Sequence, residues 1–423
     1  MSTLATYPAM PPPRRAGPAQ AIPPELELLL TCARRQLSAD HARRALRLAR
    51  LLNWSVLLEL ARDHRLFPLL YWHWKKSLEL GFPAEMAPQL DERFRASVAR
   101  SLLLVQELSN VAEVLGRRGI PVVPFKGPAL AENLYGNSAL RECADLDVLL
   151  RRRDVPEALE ALVGAGYADA KRLPATRQTA YITTQYEYPL LSPCGVLVEL
   201  QWRIVPRYFS LSLDEEQYWG RVQPLTVCGR EMGSLSPEDL LLFLCVHGGK
   251  HGWAKLIWLA DVGELVVSNP RLDWEYIVRH AQRAGALRLL LLGVALSSRL
   301  LGTAIPADAE PALARDPVLR RISNRLARDL ASGKRPTYMR SQRYLWQVRE
   351  RWRDRLLYAF RFAFTATPVE WEVVNLPPAL SGLYRLLRVL RGISKATAIA
   401  GSAVFRLARA KVGLAGAAKT PAR

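Results

Sequence analysis

The chain has 423 residues, half of them hydrophobic, and a formal net charge of +20 at pH 7. This length and hydrophobic content exclude a wholly disordered chain and allow more than one packed domain. The excess of basic residues favours contact with polyanions such as nucleoside triphosphates, RNA or anionic lipid, although an arginine-rich composition also arises from a GC-rich genome without selection for binding.

Residues 1–24 are rich in proline and alanine, which predicts a disordered tail. They contain no apolar segment followed by a cleavage site, so we expect no signal peptide and a cytoplasmic protein. The apolar stretch Leu287–Leu301 contains Arg288 and Arg299. It is also shorter than the roughly 20 residues that a bilayer requires, so it predicts a buried core helix instead of a transmembrane segment.

The next region, residues 25–118, is predicted to be an N-terminal helical region. Its apolar residues recur at intervals of three and four, as on one face of a helix. Asp40 and Asn53 stand at breaks in this pattern and are predicted to cap helices there.

From residue 119 to residue 235 the pattern alternates between strands and helices, which predicts one domain of ordinary size. The helices are predicted at Pro128–Tyr135 and Val155–Val163. The strands are predicted at Ile120–Phe125, Ala144–Leu150, Gln185–Leu191, Val196–Ile204 and Pro224–Cys228.

Three further regions follow. Residues 236–303 are predicted to be a helical domain that opens with Ser236 as its cap. Residues 304–395 are predicted to form a basic helical region, in which the run RERWRDRLL alternates in charge and indicates a solvent-facing helix. Residues 396–423 are predicted to form a basic tail, and the chain contains no acidic residue beyond Glu372.

Asp145 and Asp147 are two residues apart in a predicted strand, so both side chains point to the same face. Two carboxylates on one face repel each other unless a cation lies between them, and a hard ion such as Mg²⁺ prefers oxygen ligands. Most such pairs are only solvated strand faces, so this pair is weak evidence by itself.

Two other features strengthen the case for a site. Lys126 and Gly127 lie where a strand passes into a helix, and a helix N-terminus binds phosphate. Glu199 lies on the polar face of another alternating strand and can supply a third carboxylate. Three carboxylates can hold two metal ions that stabilise both the attacking and the leaving oxygen of a phosphoryl displacement.

The run FKGPALAENLYGNSALRECADLDVLL resembles the signature of the uncharacterised nucleotidyltransferase family, within the superfamily of DNA polymerase β. The resemblance includes VELQW and HGGKHGWAKLIWLAD, and it extends from about residue 25 to residue 395. The chain departs from the pattern at two positions: Pro128 follows Gly127 where the superfamily has serine, and Gln201 stands where the family often has histidine.

The resemblance implies an α+β fold, in which a polymerase-β-like core with a small mixed sheet is flanked by N-terminal and C-terminal helical regions. It implies that residues 236–303 pack on the catalytic site. The expected enzyme is a transferase that moves a nucleoside monophosphate from an NTP such as ATP to an acceptor hydroxyl and releases pyrophosphate. Two Mg²⁺ ions, or Mn²⁺ in their place, are expected at Asp145, Asp147 and Glu199. The residues expected to bind the nucleotide are Lys126, Gly127, Arg141, Lys250 and His251.

Several alternatives stay open at this point. The acceptor can be a small hydroxylated molecule, a protein side chain or an RNA end. A non-catalytic nucleotide- or RNA-binding accessory protein would share the fold, and the basic C-terminal helix could instead bind an anionic membrane surface. His247 and His251 lie four residues apart but lack the further ligands that zinc requires, so packing is the favoured interpretation. Asp261 is expected either to cap a helix or to pair with Arg141.

Overall fold

The structure is a computed structural model, and the part of the chain that it describes excludes several segments. The predicted tail at residues 396–423 and most of the predicted N-terminal tail lie outside the described residues. The described residues are 22–76, 84–173, 175–213, 215–305, 307, 309–331, 338–365, 370, 376, 380, 382–392 and 394.

The N-terminal region is helical, as its periodicity predicts. Asn53 caps α3 by accepting a hydrogen bond from the Val56 amide, which confirms its prediction. The prediction for Asp40 is wrong: Ser38 has the extended backbone of a cap and accepts from the His41 amide, whereas Asp40 lies inside the first turn. The helices are α1 (Pro24–Cys32), α2 (Ala39–Ala49), α3 (Trp54–Asp63), α4 (Phe67–Lys76) and α5 (Ala87–Gly116).

A five-stranded mixed sheet follows, and it confirms the predicted α+β class. Its strand order is β1-β2-β5-β4-β3; β2 and β5 are parallel, and the other neighbouring pairs are antiparallel. A separate hairpin is formed by β6 and β7. The strands are β1 (Val123–Pro124), β2 (Leu146–Leu149), β3 (Ala168–Asp169), β4 (Glu187–Leu191), β5 (Leu197–Gln201), β6 (Gln223–Val227) and β7 (Arg230–Ser234).

Hydrophobic side chains cover both faces of this sheet. On one face Leu146 and Val148 belong to a cluster with Leu108 of α5 and Leu159 of α7. On the other face Leu149 belongs to the larger cluster, which continues into the C-terminal helices. The helices of this region are α6 (Gly127–Tyr135), α7 (Val155–Gly164), α8 (Ala175–Thr184) and α9 (Glu215–Trp219).

The C-terminal half is helical. Ser236 caps α10 by accepting from the Asp239 amide, and α13 has the predicted bounds and is largely buried, so both predictions are confirmed. No helix in the described part of the chain is both long enough and apolar enough to cross a membrane. The helices are α10 (Pro237–Lys250), α11 (Leu256–Ser268), α12 (Trp274–Ala284), α13 (Leu287–Leu301), α14 (Glu310–Arg315), α15 (Pro317–Ala331), α16 (Tyr338–Gln347) and α17 (Trp352–Phe364), and residues 383–392 are also helical.

The solvent face of α17 differs from the prediction. The run RERWRDRLL indicates a charged exposed face, but the exposed residues also include large apolar side chains at four-residue spacing. These side chains are Trp352, Leu356, Phe360 and Phe364. The charge alternation in the sequence therefore identifies an exposed helix but not the apolar stripe along it.

Candidate active site

The parallel pairing of β2 and β5 brings the three predicted carboxylates together. Asp147 and Glu199 are direct partners in the register of these strands, and Asp145 lies one residue before β2. One ligand oxygen from each of Asp145, Asp147 and Glu199 lies within 4.8 Å of the others. Among the described residues, no other group of three or more acidic, histidine or cysteine side chains has this geometry.

Gln201 and Lys126 hold Asp147 in place. The Lys126 Nζ lies 2.9 Å from Asp147 Oδ1, and both side chains are largely buried. The Gln201 amide also donates to Asp147 Oδ1, and it donates to Glu199 Oε2 at 3.2 Å. Gln201 is only 2% exposed, so its amide is a fixed donor between the two carboxylates.

A fourth carboxylate, Glu187, lies near this group and interacts electrostatically with Glu199 and Asp147, and the sequence does not identify it. It is the register partner of Gln201 on β4, and its side chain hydrogen-bonds with the Tyr186 hydroxyl. Burial raises the pKa of Glu187, and the nearby charge of Lys250 opposes that rise. The alternation in Gln185–Leu191 predicts the strand, but only the strand pairing shows that this residue meets the site.

The electrostatics of the group favour a cation. Burial, together with the charges of Glu187 and Asp147, raises the pKa of Glu199 to about 8. Burial and the charge of Asp147 likewise raise the pKa of Asp145. Crowded, half-buried oxygen donors with excess negative charge suit a hard divalent ion, so these residues fit Mg²⁺ or Mn²⁺.

Gly127 places the N-terminus of α6 against the carboxylates. Its φ of +62° lies in the left-handed region, which a side chain disfavours. A Cβ at this position would meet the backbone oxygen of Asp145 at 3.5 Å. The first turn of α6 therefore begins beside Asp145, although Pro128 removes one of its amide donors.

Lys250 and His251 lie at the end of α10, and the charges of Glu187, Asp147 and Glu199 act on Lys250. Burial lowers the pKa of Lys250 to about 8, and the charge of Lys126 lowers it too. The Lys250 Nζ lies 5.2 Å from the Tyr186 ring centroid. His251 is exposed, and its ring lies 4.8 Å from that of His247, which agrees with the packing interpretation of the histidine pair.

Arg141 is buried and paired with Asp261. Its Nε lies 3.1 Å from both carboxylate oxygens, and its Nη2 lies 3.0 Å from Oδ2. The Tyr135 hydroxyl donates to the same carboxylate at 3.0 Å. This ion pair joins the segment before β2 to α11, so of the two expectations for Asp261 the pairing is the one observed. The guanidinium points to Asp261, and its assignment to the nucleotide stays a prediction.

The sequence of the chain is similar to a described protein family. Residues 50–302 match the sequence profile of a family described as uncharacterised nucleotidyltransferase. No curated protein matches the chain. A solved structure of an antigenic nucleotidyltransferase-like protein from Paracoccidioides brasiliensis is 16% identical; the match covers 49% of this chain and 95% of that chain, with a TM-score of 0.24.

Proposed function

The chain belongs to the uncharacterised nucleotidyltransferase family, and on this premise we propose that it transfers a nucleoside monophosphate from an NTP to an acceptor hydroxyl, with release of pyrophosphate. The observation that carries the proposal is the convergence of Asp145, Asp147 and Glu199 within 4.8 Å.

The three carboxylates are the proposed ligands of two Mg²⁺ ions, with Mn²⁺ as a substitute. When bound, such ions make an acceptor hydroxyl more acidic and neutralise charge on the phosphates. Gln201 and Lys126 orient Asp147 by the contacts described above. Arg141 acts as a positioning residue, because its pair with Asp261 fixes the backbone that leads into Asp145.

Glu199 is proposed as a metal ligand or as the general base that accepts the proton of the acceptor hydroxyl. Either role requires the ionised carboxylate, which bound cations would favour over the raised pKa of the metal-free site. Lys126, Gly127 and the first turn of α6 are proposed to hold the triphosphate, and Lys250 and His251 to complete that site. ATP is one candidate donor, and the cytoplasm is the expected compartment.

The test is a screen of the four NTPs with Mg²⁺ or Mn²⁺ against small hydroxylated molecules, proteins and RNA. We expect an acceptor whose mass increases by one nucleotidyl group, which is a nucleoside monophosphate less one water, together with pyrophosphate. The control is the double variant Asp145→Asn/Asp147→Asn, which keeps the shape of both side chains and removes both charges. Equal product from wild type and this variant would contradict the proposed site.

The net charge of +20 supports a second candidate, a non-catalytic protein that binds nucleotide or RNA. This candidate predicts RNA affinity that falls steeply with salt and does not depend on sequence. It also predicts that bound NTP is recovered unchanged. Turnover therefore separates the two candidates.

A further inference from the structure

A cavity of 310 Å³ lies beside the segment that leads into Asp145, and arginines dominate its lining. The residues come from the α3–α4 connection, from α5 and from the backbone between Arg141 and Ala144. Its charged lining residues are Arg65, Arg93, Arg100, Arg141 and Glu142. Ser97 and Ser101 of α5 add hydroxyl groups.

The charges of this lining are only partly balanced. Arg141 is matched by Asp261, as described above. Glu142 is the single carboxylate in the lining. Its Oε1 lies 3.9 Å from Arg93 Nη2, which is a long distance for an ion pair. Among the described residues Arg65 makes no ion pair, although its charge acts on the carboxylates of Glu142 and Asp145. With Asp261 counted, four arginines face two carboxylates, so the lining has an excess of about two positive charges at neutral pH, part of which acts on Asp145.

The positions of these arginines are fixed by the fold. Arg100 donates to the backbone oxygen of Ala144 at 2.7 Å, directly before Asp145. The Arg93 guanidinium lies 4.2 Å from the Phe67 ring centroid, which holds its plane. Arg65 has a φ of +58° because it is the left-handed residue that ends α3, where the Leu66 amide donates to the Ala61 backbone oxygen at 2.8 Å.

We propose that this cavity binds the phosphate group of a phosphorylated acceptor and so selects the acceptor of the transfer. Arginine guanidinium groups bind phosphate through paired, charge-assisted hydrogen bonds, and a doubly charged phosphate monoester balances the excess charge. The assignment of this phosphate to the acceptor rests on the proposed function.

The arrangement of cations around the carboxylates supports assignment to the acceptor and not to the NTP. Lys126 contacts Asp147 of β2, at the centre of the carboxylates, and Lys250 lies near Glu187 of β4, two strands away from β2. The arginine cavity instead adjoins Asp145, at the beginning of β2. An in-line displacement places donor and acceptor on opposite sides of the reacting phosphorus, and two separate cationic groups meet this requirement.

The experiment measures binding of inorganic phosphate to the full chain by calorimetry, without metal or nucleotide. The test variant is Arg65→Gln/Arg93→Gln. The matched control is Arg62→Gln/Arg95→Gln, which removes the same charge from neighbouring positions that do not line the cavity. We expect the Kd for phosphate to rise at least tenfold in the test variant and less than twofold in the control.

Two results would overturn the proposal: no saturable binding of phosphate by the wild type, or equal losses in the two double variants. If the test variant does not fold, Arg65→Gln alone replaces it, with Arg62→Gln as its control. A repeat with saturating Mg²⁺ and a non-hydrolysable NTP analogue identifies the source of the phosphate. Phosphate that still binds supports the acceptor site, whereas competition would assign the cavity to the donor and overturn the proposal.

The repeat also separates this proposal from the proposed function. One outcome is that the analogue does not bind in the presence of Mg²⁺, while phosphate binding still requires Arg65 and Arg93. The proposed nucleotidyl transfer would then be wrong, and the proposed anion-binding cavity would be supported. If the analogue binds and the Kd for phosphate is the same in the wild type and in Arg65→Gln/Arg93→Gln, only the present proposal fails.

Discussion

Replacing Glu199 with glutamine removes one negative charge from the carboxylate group and preserves the shape of the side chain. Two effects of opposite sign should follow in the same protein. Without divalent ions, the variant should be more stable than the wild type at alkaline pH, because a neutral amide avoids the cost of burying a charge and the repulsion from the neighbouring carboxylates. With Mg²⁺ or Mn²⁺, it should bind metal less tightly and lose activity.

The stability gain can be worked out from the pKa of Glu199. That pKa rises from 4.5 to about 8 in the folded protein. The folded state therefore holds the proton more tightly than the unfolded state, and the free energy of unfolding falls as pH rises from about 4.5 to about 8. At about 1.4 kcal/mol per pH unit the penalty has an upper limit of about 5 kcal/mol. Because Glu187 shares in the repulsion, we expect a gain of about 2–3 kcal/mol at pH 8.5 and almost none at pH 4.

The assay is urea unfolding in EDTA at several pH values, followed by metal titration of the same samples. Glu231→Gln is the matched control, since Glu231 is an exposed glutamate on β7, away from the carboxylate group. Its free energy of unfolding should change by no more than about 0.5 kcal/mol. Activity of Glu199→Gln should fall about a hundredfold or more, the scale of a lost general base or ligand.

Two results would refute this reasoning. The Glu199→Gln variant could be less stable than the wild type at pH 8.5, or its free energy of unfolding could increase by the same amount at pH 4 and at pH 8.5. The first result would mean that the charged carboxylate is stabilised in the folded protein. The second would mean that the gain comes from packing and not from repulsion.

Four further substitutions or deletions test the remaining contacts. Lys126→Met, which keeps the apolar stem, should weaken binding of Mg²⁺–NTP at least tenfold by equilibrium dialysis. Asp261→Asn should lower the free energy of unfolding by about 3–5 kcal/mol in urea, because the buried charge of Arg141 loses its partner. Gly127→Ala should lower it by about 1–2 kcal/mol, through the strain of its positive φ, and should weaken NTP binding as well. Deletion of the residues after Lys395 should leave metal-dependent NTP binding within a few-fold, because the carboxylates lie far upstream.

Each of these predictions has a contradicting result. An unchanged free energy of unfolding in Gly127→Ala would show that its positive φ is not strained by a side chain. Unchanged NTP affinity in Lys126→Met would remove the lysine from the nucleotide site. A stable Asp261→Asn protein would show that water reaches Arg141. Complete loss of NTP binding by the folded, truncated chain would place part of the site in the C-terminal segment.

The sequence predicts the parts of the site that depend on local patterns. The alternation around Asp145 and Asp147 and around Glu199 predicts strands with their acids on the polar face, and Ser236 and Asn53 are recognisable caps. The apolar run with two arginines predicts α13 with its observed bounds. These features depend on side-chain periodicity and on capping, which neighbouring residues determine.

The remaining features depend on pairing between distant segments. Glu187 enters the site only because β4 lies antiparallel to β5, and sequence alone does not specify that register. The pairing of Arg141 with Asp261 joins segments 120 residues apart. The sequence does not predict strand β7 of the hairpin. The turn before β7 has a positive φ at Cys228, and cysteine rarely adopts that conformation, so the residue does not signal a turn.

The most direct test of nucleotidyl transfer follows two radioactive labels through one reaction. The protein is incubated with the acceptor found in the screen, Mg²⁺ or Mn²⁺, and NTP labelled on either the α- or the γ-phosphate. We predict that the α-label appears on the acceptor and the γ-label in pyrophosphate, and that Asp147→Asn abolishes both. Transfer of the γ-label to the acceptor, or undiminished transfer by Asp147→Asn, would contradict the proposed chemistry.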